Sequence, residues 1–285
     1  MSENRQALDG LRRDIDRVDD DLRALLAERS ALVDRIFGTK RDGLAIRPGR
    51  EASILRRLSA TGDAGQVPAV VLVRVWRELM AAFCRQQGPF SVAVCAPEKS
   101  VGYWDLARDH FGSATPMTLH KSPGLVLRAI AGGTAAIGLL PLPQDDDMDP
   151  WWRHLARTVG PRPQVIARLP FCENPGARFE DLEALAVAIH DIDPSSDDLS
   201  LLVVSTSDHI SRASLNSLLA DAGFDGRGVA NYVEPEVASE RLYLAEVNGL
   251  VAAADPRLGK LATKLDDENA QVIRVGGYAR PIVPR

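Results

Sequence analysis

The sequence predicts a multidomain protein of the α plus α/β class: three N-terminal helices with a long first helix, an open β/α lobe, and a closing βαββαβ module. Three observations predict it. An unbroken apolar heptad runs through the first forty positions. From about residue 89, β-rich apolar runs alternate with helical patterns. From Asp198 the order of runs is strand, helix, strand, strand, helix, strand. The 285 residues, 45% hydrophobic with a net charge of −5, suit a soluble chain whose domains are expected at 1–88, 89–197 and 198–285.

The first helix is expected over residues 5–40. Leu8, Leu11, Ile15, Val18, Leu22, Leu25, Arg29, Leu32 and Ile36 occupy its a and d positions, no Pro interrupts it, and Gly occurs only at 10 and 38. At 1.5 Å per residue it is roughly 50 Å long, so its seam must be covered by another chain or another long helix. Arg29 stands at an a position, where a permanently charged guanidinium is costly without an anion. No acid in the flanking turns shares that face. One reading supplies the anion as a substrate; the other is a coiled coil that tolerates one arginine. Lys40 follows Arg29 on the same face, roughly 16 Å along the axis, a span that long side chains close over one small molecule. Arg12 lies about 25 Å before Arg29 and is rotated by roughly 100°, so it reaches that ligand only from a second, antiparallel chain.

A second helix opens at Arg47-Pro48-Gly49-Arg50-Glu51 and runs through Leu58. A third covers residues 68–87, with Val71, Val75, Leu79, Met80 and Phe83 on or near one face. Three stretches of the first helix carry a family pattern: Leu8-Asp9 with Leu11-Arg12, Ile15-Asp16 with Val18-Asp19, and Leu25-Leu26-Ala27-Glu28-Arg29. With Lys40, Arg50-Glu51 and the run from Trp76-Arg77-Glu78-Leu79-Met80 to Gln87, the chain over residues 5–88 resembles the all-helical class of chorismate mutase.

The resemblance implies a homodimer that rearranges chorismate to prephenate with no cofactor and no metal. Such a Claisen rearrangement needs no nucleophile and no obligatory proton transfer. Catalysis comes from holding a reactive conformer and stabilising charge on the breaking ether oxygen. By that resemblance Arg29 and the partner's Arg12 take the two substrate carboxylates, Lys40 and Gln87 donate to the ether oxygen, Glu51 holds the ring hydroxyl, and Arg50 lines the site. Two positions depart from the family: Phe83 stands where a serine is common, and Arg47 where an acid is common.

No apolar stretch approaches a membrane span, and Met1-Ser2-Glu3-Asn4-Arg5-Gln6 leads into a charged helix without an apolar signal region, so a cytoplasmic protein is expected. Cys84, Cys95 and Cys172 fit neither a disulfide framework nor a zinc site and read as core or free thiols. The acidic balance argues against a nucleic-acid partner. The five histidines are scattered without ligand spacing and read as mostly surface or capping residues. The acidic run 145–149 reads as a solvated loop, and Trp151-Trp152 as a packing anchor.

Beyond Gly88-Pro89 the expected order is strand 90–95, helix 101–111, strand 115–119, helix 123–131, strand 136–142 and strand 164–171. The loop Ala96-Pro97-Glu98-Lys99-Ser100-Val101-Gly102-Tyr103 and the run from Gly133-Thr134 to Leu140-Pro141 resemble the first lobe of prephenate dehydratase. That family's Ile-Glu-Asn motif is replaced by Leu142-Pro143-Gln144, and its Thr-Arg-Phe motif has Leu199-Ser200-Leu201 as the nearest match. The last module, ending Val275-Gly276-Gly277-Tyr278-Ala279-Arg280-Pro281, resembles the ACT regulatory domain. Ile210-Ser211-Arg212-Ala213 and Val233-Glu234-Pro235-Glu236 stand at its effector motifs. The expected protein is therefore a chorismate mutase fused to a degenerate dehydratase-like lobe and an ACT-like module. The rivals are a non-catalytic sensor or partner of aromatic biosynthesis, and a bifunctional chorismate mutase/prephenate dehydratase.

Overall fold

The computed structural model of the chain describes residues 2–39, 45–60, 67–97, 101–145, 147–157, 162–173, 181–233 and 240–283. Two compact units divide it, Met1–Gly43 and Leu44–Arg285.

The first unit is α1 (Ser2–Thr39), a continuous helix of 38 residues. Its heptad seam faces solvent in the single chain: Leu11, Ile15, Leu25 and Ile36 are each about 60% exposed. Its polar face carries pairs one turn apart, Arg12 with Asp9 at 3.1 Å and Arg17 with Asp21 at 3.2 Å. Such exposed pairs add little stability. Most helix stability comes from burying an apolar stripe, so α1 as a single chain leaves its main source unused.

The second unit opens with α2 (Pro48–Ala60) and α3 (Ala69–Gln87), which pack on each other. An α/β succession follows: β1 (Val92–Cys95), α4 (Gly102–Phe111), β2 (Met117–His120), α5 (Pro123–Ala131), β3 (Ile137–Pro141), α6 (Arg153–Arg157), β4 (Gln164–Leu169) and β5 (Ala184–Ala188). It closes with β6 (Asp198–Thr206), α7 (Arg212–Ala222), β7 (Gly226–Val233), β8 (Arg241–Asn248), α8 (Pro256–Lys264) and β9 (Gln271–Ala279). The nine strands of the described residues form one sheet in the order β2-β1-β3-β5-β4-β9-β6-β8-β7. The strands β2, β1 and β3 are parallel, and β5 runs antiparallel to both β3 and β4. The last four strands are antiparallel in the order β9-β6-β8-β7, the ferredoxin-like pattern that the βαββαβ succession requires.

Strand β5 and helix α6 are absent from the expected order. Ala184-Leu185-Ala186-Val187-Ala188 has no alternation to read, because all five residues are buried and both faces of the strand are covered. The joining of the two strand sets is also a tertiary event. β4 meets β9 in parallel at Val165 and Gly276. A Cβ at residue 276 would lie 2.3 Å from the Val165 nitrogen, and its φ of +140° disfavours any side chain, so glycine permits the joint.

Helix α2 is bolted to the end of the sheet. Arg56 donates to the carbonyls of Ser195 (3.0 Å), Asp197 (2.7 Å) and Arg280 (2.8 Å). Asp193 caps the helix from far along the chain, accepting the Arg50 N–H at 3.2 Å. Gly49 fits beneath it because a Cβ there would meet the Asp193 carbonyl at 2.0 Å. The two tryptophans are core residues, 2% and 1% exposed, and Trp151 Nε1 donates to the Pro141 carbonyl at 3.0 Å.

Candidate active site

On α1, Arg12 is exposed and paired with Asp9, while Arg29 is half-buried. Both belong to one uninterrupted helix, so the axial separation of about 25 Å within a chain holds. Lys40 lies outside the described residues.

On α2, Arg50 and Glu51 part company. Arg50 is exposed; Glu51 is 9% exposed and turned into the protein. Its Oε2 accepts from Arg77 Nη1 of α3 at 2.7 Å, and its Oε1 accepts the Arg47 N–H at 3.3 Å. A carboxylate in the first turn also complements the helix dipole. The departure at Arg47 is accounted for by Asp193, whose carboxylate it approaches at 3.5 Å.

Arg77 is the residue that the sequence reading passed over. It is 5% exposed and sits within the buried stripe Val73, Arg77, Met80, Cys84. The stripe is not the face expected from the sequence, because Val71 and Val75 are 43% and 48% exposed. Burial pulls the Arg77 pKa below the ordinary value, opposed by the charge and hydrogen bond of Glu51. Its guanidinium lies 5.2 Å from the Phe171 ring centroid. Gln87, the last residue of α3, is half-buried, and its side-chain amide makes no hydrogen bond among the described residues. Ten residues, about 15 Å of helix, separate it from Arg77. The structure thus joins Glu51 to Arg77 and leaves Gln87 about three turns along α3.

This arrangement offers a desolvated carboxylate whose orientation is set from two sides, suited to accept a hydroxyl hydrogen bond. Glu51 needs no metal for that, and no cluster of three or more metal-ligating side chains exists among the described residues.

The features beyond α3 are also placed. Asp145 accepts from Arg212 and, at 3.2 Å, from Asn231, and Asp149 pairs with Arg153 at 2.8 Å, while both carboxylates stay exposed to solvent. All three cysteines are buried and unbridged; burial raises Cys95 to about 11. His110, read with the other histidines as a surface or capping residue, is 7% exposed.

Residues 11–88 match the family described as chorismate mutase type II. That stretch holds α2, α3 and most of α1. Two curated bifunctional chorismate mutase/prephenate dehydratases are similar to the chain. The protein from Pseudomonas aeruginosa is 28% identical over 142 residues, 47% of this chain and 38% of that one. The protein from Neisseria gonorrhoeae is 31% identical over 100 residues, 35% of this chain and 27% of that one. The matched part therefore spans less than two-fifths of either relative. Among solved structures, prephenate dehydratase from Streptococcus mutans superposes with a TM-score of 0.46 at 12% identity, covering 69% of this chain and all of that one. GqqA, described as a novel type of quorum-quenching acylase, gives 0.46 at 15% identity over 67% of this chain and 95% of that one.

Proposed function

We propose that the chain is a chorismate mutase, rearranging chorismate to prephenate at sites shared between two copies. The match of residues 11–88 to the type II mutase family carries the reading, and Arg12, Arg29, Lys40, Arg50, Glu51 and Gln87 all fall inside it. The exposed seam of α1 supplies the surface for a second copy. The homodimer forms by pairing these seams, and the partner's Arg12 enters the site headed by Arg29.

The roles follow from the reaction. The substrate is a dianion, and arginines bind carboxylates with two parallel hydrogen bonds. Arg29 and the partner's Arg12 fix the two carboxylates, with Arg50 at the edge. Lys40 and Gln87 donate to the ether oxygen as its bond to carbon breaks and negative charge develops there. Glu51, held by Arg77 and the Arg47 N–H, accepts the ring hydroxyl. No proton is transferred and no cofactor takes part. The three-domain division at 1–88, 89–197 and 198–285 belongs to the same proposal, as does work in the cytoplasm, where buried thiols outside disulfides are at home. No described helix is long and apolar enough to cross a membrane.

The full chain incubated with chorismate tests this directly. Loss of chorismate absorbance, with product that yields phenylpyruvate only after acid treatment, is the expected result. Phenylpyruvate formed without acid would favour the bifunctional reading. That second reading has one observation behind it: the longer match to a bifunctional relative exceeds the whole helical region. Against it, the β3 loop reads Leu142-Pro143-Gln144 and its Asp145 is engaged by Arg212 and Asn231. A folded chain that leaves chorismate untouched would support the non-catalytic sensor instead.

A further inference from the structure

A cavity of about 660 Å³ opens between α3, α4 and the ends of β4 and β9. It lies wholly within the second unit, and its volume is in the range of small-molecule sites. We propose that it binds a small carboxylate with an apolar body, independently of the mutase reading.

Two buried residues of its wall, Arg77 and His110, have unused donors. Arg77 has five N–H donors, yet among the described residues its one hydrogen bond is from Nη1 to Glu51, and its buried Nε has no partner. His110, on α4, makes no hydrogen bond among the described residues and rests against Phe111 at 4.7 Å between ring centroids. Buried polar groups are normally satisfied, so unused donors on two neighbouring buried residues of one wall mark a place where a ligand's acceptor belongs. Burial and the charge of Arg77 keep His110 neutral, leaving it one N–H to donate.

The rest of the wall decides the ligand's sign. Among the described lining residues five arginines face five carboxylates, so the cavity as a whole is balanced. The balance is uneven in depth. Arg168 is held by both oxygens of Glu183 at 2.9 Å, Arg74 by Asp109, and Arg280 by Asp197 and Asn248. Glu173 and Asp181 are exposed, where water screens them. The unfilled donors are therefore deep, where the effective dielectric is low, and the unpaired acids are shallow. An anionic oxygen gains most at Arg77 and His110, and a carboxylate brings two. Val73, Leu106 and Phe171 supply the apolar wall for the body of the molecule.

The test is calorimetric titration of the full chain with cyclohexylacetate, and with cyclohexylacetamide as its neutral counterpart. The carboxylate is expected to bind at least tenfold more tightly than the amide, in the presence or absence of excess prephenate. Leu106→Trp, which fills the cavity from a half-buried position, and His110→Phe, which removes the ring donor, are each expected to weaken it at least tenfold. Thermal melts confirm that the variants fold; should His110→Phe not fold, Leu106→Trp decides alone. No carboxylate binding, equal binding of the amide, displacement by prephenate, or unchanged affinity in folded Leu106→Trp would each overturn the proposal.

Discussion

Glu51 and Arg77 meet at 2.7 Å in a buried ion pair that ties the first turn of α2 to the middle of α3. The pair is a by-product of no local pattern, since 26 residues separate its members. It places the carboxylate expected to hold the substrate hydroxyl under the control of a residue outside the family's expected set.

Removing one partner of such a pair leaves a buried charge, at a typical cost of about 3–5 kcal/mol, whereas replacing both by apolar groups is often close to neutral. Arg77→Met is therefore expected to destabilise the chain by roughly that amount in urea unfolding, and the double variant Glu51→Leu/Arg77→Met by clearly less. A double variant as unstable as the sum of the two single ones would show that the two side chains do not act as a pair.

Lys40→Ala should lower chorismate turnover by about a hundredfold or more, the usual effect of losing one preorganised donor to developing charge. The variant should keep the oligomeric state of the parent in analytical ultracentrifugation. A rate within about threefold of the parent, less than 1 kcal/mol of barrier, would remove Lys40 from the mechanism.

Arg12→Ala and Gln87→Ala should each be nearly inactive, and mixing them with subunit exchange should restore part of the activity. A mixed dimer has one site that carries both lesions and one that carries neither. The expectation rests on the roughly 25 Å of helix between Arg12 and Arg29 in one chain. If native mass spectrometry shows exchange and no activity returns, the shared-site geometry is wrong.

His110 predicts a pH dependence of stability. Burial, reinforced by Arg77, holds its folded pKa well below the ordinary 6.5, so on acidification the unfolded chain takes up the proton first. Stability is then full above about pH 6.5 and falls as the pH drops below it, by up to about 1.4 kcal/mol per unit. Urea midpoints between pH 7 and pH 5 should fall more steeply for the parent than for His110→Phe. Parallel lines would rule out a buried neutral histidine.

What could be read from the sequence was what repeats locally. The heptad of α1 and the strand–helix order after Asp198 are written in neighbouring residues, so both are recovered, with ends moved by a few positions. Arg29 was legible for the same reason, as a charge where the period demands an apolar residue. Arg77 lies off the face expected from Val71, Val75 and Leu79, so its place in the buried stripe and its ion pair with Glu51 became visible only when α2 and α3 were packed.

The sequence by itself determined most of the elements, though not β5 or α6, together with the arginine-bearing helix and the set of residues that resembles a mutase. Tertiary structure decided the rest. β5 is a strand because both its faces are buried, the two strand sets join because Gly276 admits the Val165 backbone, and α2 is capped by Asp193 from 143 residues away. It also decided which charges are dry, turning Glu51, Arg77 and His110 inward while leaving Arg12 and Arg50 in water. The physical reason is common to all of these. Periodicity reports the face a residue presents, but burial, capping and ion pairing depend on what the distant chain brings to that face.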